Sequence, residues 1–149
     1  MWPLRSQRHA PRHVKTSDGP PEMLAIMKSS QDQAALANFA RSNGWDLTML
    51  NTLPEASALS AKPNTAVIIL DRDLTENDWR PAVHSFAQHR PAPCIILASS
   101  VLDEYLFDEI VKQGGFDIVA KPIRPDELRR IGGLAVTFWK NRSASRSSE

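Results

Sequence analysis

Three polar residues stand directly behind apolar runs. Asp71 follows Val67-Ile68-Ile69-Leu70, Ser99 follows Cys94-Ile95-Ile96-Leu97-Ala98, and Lys121 follows Ile118-Val119-Ala120. A carboxylate is a competent nucleophile toward phosphorus, because carboxylates form acyl phosphates. The dianion so added needs neutralising, and an ammonium such as Lys121 with a hydroxyl such as Ser99 supplies charge and a hydrogen bond. Magnesium, held through one or two carboxylates and phosphate oxygens, usually completes such a site. Asp73 is the acid next closest to Asp71 in sequence. The same residues suit a plainer role equally well: an aspartate that sets the loop Arg72-Asp73-Leu74-Thr75, ion-paired to a lysine before Pro122.

Whether the three meet depends on the elements that carry them. Met23–Met27 is a short apolar run and reads as a buried strand. Ser29 or Ser30 can cap the helix that follows, in which Ala35, Leu36, Phe39 and Ala40 fall at helical spacing, and Asn43-Gly44 stops it. Trp45–Leu50 is a second strand, and Pro54 to about Ala61 a weak short helix. Ala66–Leu70 is a third strand. Asp78 caps a helix from Trp79 to Gln88 that turns Val83 and Phe86 inward, and Cys94–Ala98 is a fourth strand. Asp103 or a neighbour opens a helix with two i,i+4 pairs, Leu106 with Ile110 and Phe107 with Val111, closed by Gly114-Gly115. Phe116–Ala120 is a fifth strand. Pro125 suits the first turn of the last helix, where Leu128, Ile131, Ala135 and Phe138 share a face and Gly132 and Gly133 allow close packing.

Five strand–helix units in succession, with strands apolar throughout, imply an α/β fold with a parallel sheet covered on both faces. Right-handed crossovers then give a doubly wound sheet, whose ligand site lies beyond the carboxyl ends of the strands. Asp71, Ser99 and Lys121 all fall there.

The 149 residues suit one domain with a real core. Residues 1–21 carry Arg5, Arg8, Arg12 and Lys15 among prolines and read as a disordered basic arm; residues 22–141 form the domain; 142–149, rich in serine, form a disordered tail. The net charge of +1 argues against a general nucleic-acid partner, and the arm alone is weak evidence for one. The single cysteine, Cys94, permits no disulfide and reads as a core residue in a reducing compartment. No secretory leader is visible and the apolar runs are too short to cross a bilayer, so a cytoplasmic protein without membrane contact is expected.

The strings Val-Ile-Ile-Leu-Asp71, Cys-Ile-Ile-Leu-Ala-Ser99 and Gly-Gly-Phe-Asp-Ile-Val-Ala-Lys121-Pro122 resemble the three C-terminal signatures of receiver domains of two-component response regulators. The resemblance runs from about Glu22 to Lys140. The Lys-Pro step followed by a helix with Asp-Glu-Leu is its most specific part. The stretch Asp71 to Trp79 also resembles short bacterial receiver proteins with no obvious output domain. The resemblance implies a flavodoxin-like (βα)5 receiver fold and phosphorelay signalling rather than an enzyme. A histidine kinase or phosphotransfer protein would phosphorylate Asp71, with Lys121 and Ser99 assisting. The signal would pass to a downstream protein, or to a second copy in a homodimer, through the last two helices and last strand, about Leu102 to Trp139. It also implies a cis Lys121-Pro122 bond that holds Lys121 toward the site.

The chain departs from the family in three places. The acidic pair that binds magnesium is replaced by Met27 and Lys28, so metal binding through Asp71 and Asp73 should be weak. Lys28 then either places a fixed positive charge near Asp71 or extends to solvent. The switch hydroxyl falls on Ala98 when counted from Pro93 and on Ser99 when counted from Lys121. The aromatic three residues before the lysine is Ile118, and Phe116 should point to the same side as Ile118 by the period of two. Hence an alternative: a phosphorylation-independent pseudo-receiver that serves as a protein-interaction module. A small-molecule binder would want a phosphate-cradling loop after strand one, of which Lys28-Ser29-Ser30 is a faint version. A hydrolase would need a base, and His84 and His89 lie on or just after a helix, away from the strand ends. Trp79 and Trp139 read as packing residues, with Trp139 a candidate for a dimer contact.

Overall fold

The computed structural model describes residues 20–53, 55, 56, 64–74 and 78–147. The basic arm up to Gly19 and most of the short helix expected from Pro54 to Ala61 lie outside the described residues. The elements run β1 (Glu22–Ile26), α1 (Ser30–Asn43), β2 (Asp46–Leu50), β3 (Thr65–Asp71), a 3-10 turn (Arg72–Leu74), α2 (Arg80–Ala87), β4 (Cys94–Ser99), α3 (Glu104–Lys112), β5 (Asp117–Ala120) and α4 (Pro125–Ser147). All strand pairs are parallel, in the order β2-β1-β3-β4-β5. This is the doubly wound five-stranded sheet expected from the element order.

The caps follow local chemistry. Ser29 accepts from Asp32 N and starts α1, and Gly44, at φ 70°, ends it in the left-handed region where a side chain would be strained. Asp103 accepts from Leu106 N at 2.8 Å and starts α3. The helix α2 begins at Arg80 with Trp79 as its cap residue and no side-chain cap, so Asp78, expected there, takes Arg80 N from one residue further out.

Alternate residues of the strands feed two cores. Met23, Ala25, Val67, Ile69, Cys94 and Ile96 pack under α1 and α4. Leu24, Ile26, Ile68, Leu70, Ile95 and Leu97 pack under α2 and α3, where Val83, Phe86, Leu106 and Ile110 close the face. Cys94 lies in the first core, and burial pushes its thiol up to about 11. It is a packing residue.

Several details differ from the sequence expectation. On α4 the buried line is Leu128, Ile131, Ala135, Val136 and Trp139, while Phe138 is exposed. The stripe drifts by one position at the fourth turn because 3.6 residues per turn do not repeat in whole steps. Trp139, fully inside, is unavailable for a dimer contact. Gly132 does permit close approach: a Cβ there would stand 3.0 Å from Phe39 Cζ, whereas one at Gly133 would meet nothing within 4 Å. The helix continues to Ser147, beyond the boundary set at Arg142, so the backbone of 142–147 is helical rather than frayed. Phe116 precedes β5, so strand alternation does not carry to it. It packs on the α1–α4 side against Phe138, at 5.6 Å between rings, while Ile118 packs on the opposite side.

Candidate functional site

Strand order reverses between β1 and β3, and there the two crossovers diverge and leave a crevice beyond the strand ends. Asp71 is the last residue of β3, Ser99 the last of β4, Lys121 follows β5, and Lys28 lies two residues past β1. Asp71 has no exposed surface. Its Oδ1 accepts from Lys121 Nζ at 2.8 Å and from Asp73 N at 2.9 Å; its Oδ2 accepts from the main-chain N–H of Lys28 at 3.3 Å. The Lys121-Pro122 bond is cis.

Lys121 also donates to Asp73 Oδ2 at 2.6 Å. Burial works to lower the pKa of Lys121, yet the hydrogen bonds to Asp71 and Asp73 outweigh it and the ammonium is held above the usual lysine range. The Lys121 hydrogen bond holds the Asp73 carboxyl below its usual range, with smaller help from the charges of Lys121, Arg72 and Lys28. Charges of both signs therefore interlock around Asp71.

The sheet register bears on the two counts for the hydroxyl. Asp71 pairs with Ala98, and Ser99 pairs with Ala120. Ser99 thus stands one residue beyond the level of Asp71. Its hydroxyl donates to Val101 O at 2.8 Å and accepts from Val101 N and from Arg72 Nη1 at 3.3 Å. Ser99 reaches the site through Arg72, while the position opposite Asp71 carries only a methyl group.

Two participants escaped the sequence reading. Arg72 links the Asp71 turn to Ser99. Asp32, only 3% exposed, accepts from Ile123 N at 2.9 Å, two residues after Lys121. The signal was present in part: Ser29-x-x-Asp32 has the spacing of a capping box, in which an acid at the third helical position returns to the cap. Here the Ser29 half forms, but the Asp32 carboxylate reaches across to tie down the loop that carries Lys121.

Met27 is 1% exposed within the α1–α4 core, and the Lys28 side chain is exposed. Lys28 therefore extends outward at the strand end. Among the described residues no group of three or more His, Cys, Asp or Glu side chains is arranged to hold a metal ion. His84 is exposed and His89 half-buried, both on the α2 side of the sheet.

No family model matches the chain. Among characterised proteins it is similar to the rice (Oryza sativa) two-component response regulators ORR11, 27% identical over 116 residues covering 75% of this chain and 78% of the relative, and ORR5, 25% identical over 117 residues covering 76% and 87%. Among solved structures it is similar to a receiver domain of an HD domain-containing protein from Pseudomonas fluorescens, with a TM-score of 0.74 at 19% identity over 89% of this chain and 98% of that one. A response regulator from Thermotoga maritima gives 0.70 at 19% identity over 79% and 98%. The fold is that of receiver domains, and the relatives similar in sequence are two-component response regulators. The chain's function is in phosphorelay signalling. Receiver domains are in general signalling modules, and they typically bind magnesium at an acidic pocket. The plant relatives show that the likeness is not confined to bacteria. No helix among the described residues is long and apolar enough to cross a membrane.

Proposed function

We propose that this receiver domain accepts a phosphoryl group on Asp71 from a histidine kinase or phosphotransfer protein and signals through protein contacts in the cytoplasm. The observation that carries this reading is the contact between Asp71, fully buried at the end of the central strand, and Lys121 Nζ at 2.8 Å. The carboxylate is the nucleophile; the ammonium holds the phosphoryl oxygens, and Asp32 positions the Lys121 loop. Lys121 leaves Asp73 as the new charge arrives, which gives the site a local response to its modification.

The acceptor face is apolar. Every large hydrophobic side chain that is exposed among the described residues lies between Val101 and Phe138. Leu102, Tyr105 and Val111 come from α3 and its approach, Leu134 and Phe138 from α4. This supports the Leu102–Trp139 region as the docking face for a downstream protein or a second copy, since exposed large apolar side chains gathered in one stretch of the chain are what an interaction site offers.

Purified protein incubated with acetyl phosphate and magnesium should gain one phosphoryl group by intact mass, and Asp71→Asn should gain none. Absence of the adduct in the wild type favours the second reading, the phosphorylation-independent interaction module. The specific observation on its side is Ala98 opposite Asp71, which leaves no hydroxyl to follow the phosphoryl group.

A further inference from the structure

The donor set around Asp71 does not suit a divalent cation. Magnesium takes oxygen ligands in octahedral array, usually through one or two carboxylates. The carboxylates at this site are Asp71 and Asp73, and both already accept from Lys121. Each carboxylate is thus taken up by the same ammonium, and Lys28 stands where β1 ends, its main-chain N–H on Asp71 Oδ2, so among the described residues no carboxylate is left over for a cation.

We infer that this site takes its phosphoryl group without a metal ion, with Lys28 in the place where a divalent cation would neutralise the incoming charge. The inference rests on the reading of Asp71 as phosphoacceptor. Of the two Asp71 oxygens, Oδ1 is held by an ammonium and a main-chain N–H, whereas Oδ2 accepts, among the described residues, only from Lys28 N at 3.3 Å. Oδ2 is therefore the freer nucleophile, and a phosphoryl group built on it emerges beside Lys28. With acetyl phosphate, the Oδ2–P bond forms as the bond from phosphorus to the acetyl oxygen breaks. Acetate leaves with that electron pair, and no electron is exchanged with any other group. The equatorial phosphoryl oxygens then meet the main-chain N–H of Lys28, its ammonium swinging in from solvent, and the ammonium of Lys121. The main-chain N–H of Lys28 and the Lys121 ammonium already stand on Asp71, and donors in place act on developing charge without a metal.

The test measures the rate of adduct formation with acetyl phosphate by intact mass, in excess chelator and in magnesium, for the wild type, Lys28→Asp and Asp71→Asn. A second measurement is the melting temperature of each with and without magnesium. The wild type should react at similar rates in both conditions and show no magnesium-dependent rise in melting temperature. Lys28→Asp should lose on the order of tenfold or more in chelator, regain rate with magnesium, and melt higher in magnesium. Asp71→Asn should not react. A wild-type adduct that chelator abolishes overturns the metal-free site and leaves Asp71 as phosphoacceptor intact. No wild-type adduct in either condition, from protein that melts cooperatively, removes the phosphoacceptor reading and the inference with it. A Lys28→Asp variant that reacts in chelator as fast as the wild type overturns the role of Lys28.

Discussion

Lys121 links two carboxylates of very different exposure, and this sets what its removal does. Asp71 is fully buried and Lys121 nearly so, whereas the Asp73 side chain is mostly exposed. Lys121→Met leaves a buried carboxylate with two main-chain N–H donors and, among the described residues, no ammonium in contact, and should destabilise the domain by about 2–4 kcal/mol in urea denaturation. Adding Asp71→Asn should recover part of that loss, because the amide carries no charge to strand. If the double variant is less stable than Lys121→Met, the pair is not electrostatically coupled as described. The same pair fixes a pH dependence. Asp73 is held below its ordinary range, so its contribution is present above that range and disappears as pH falls through the depressed value. Lys121 is held above its ordinary range, so its contribution is complete below that range and disappears as pH rises through the raised value. The stability gap between wild type and Lys121→Met should therefore be flat near neutrality and shrink in both acid and strong alkali. Asp71 and Lys121 were legible in the sequence because a polar residue that ends an apolar run must lie at a strand's carboxyl edge. Arg72 and Asp32 were not. Arg72 looked like one of several loop charges, and the partner of Asp32 stands 91 residues away, where no local pattern records it.

At the scale of elements, the two adjacent glycines of α4 face different surroundings. Gly132 lies against Phe39, whose ring is itself fixed edge-on to Trp45 at 5.0 Å. Gly132→Ala gains up to about 1 kcal/mol of helix propensity but must displace that ring, and overpacking costs about 1–3 kcal/mol. The net effect should be destabilising. Gly133→Ala points into open space and should stabilise by about 0.5–1 kcal/mol. The comparison is a pair of urea midpoints with unchanged slopes; a stabilised Gly132→Ala would mean that α1 and α4 are not in close contact there. The sequence predicted close packing at this pair but could not divide it, since only the angle of α4 on the sheet decides which glycine faces Phe39. The same angle exposes Phe138 and buries Trp139. The apolar stretches Ala66–Leu70 and Cys94–Ala98 were readable as strands because each is buried on both faces, whereas the polar ends Thr65, Asp71 and Ser99 fell outside that reading. The face taken by Phe116 was not readable, because the residue lies before β5 and alternation holds only within a strand.

Across the whole molecule, the site is assembled from elements of unequal depth. β3 lies at the centre of the sheet between β1 and β4 and is buried along its whole length. β2 and β5 are the sheet edges, and most of their residues are partly exposed. Opening free energies rise with burial and with hydrogen bonding on both sides of a strand. Amides of Val67–Leu70 and Ile95–Leu97 should therefore exchange only through global unfolding, with a denaturant dependence equal to that of the whole domain. Amides of Asp46–Leu50 and Asp117–Ala120 should exchange through smaller openings. The carboxylate of Asp71 thus stands on the stiffest strand, while Lys121 hangs from an edge strand whose loop is pinned by Asp32. A change at Asp71 should then be felt on the Lys121 side and not in β3. Asp71→Asn, which weakens the Lys121 contact, should raise exchange at residues 119–124 and the start of α4 and leave β3 unchanged. Asp32→Ala should raise it at the same residues by releasing Ile123 N. If β3 exchanges as fast as β2, or if either substitution loosens β3 before the Lys121 loop, the central strand is not the fixed member of the site.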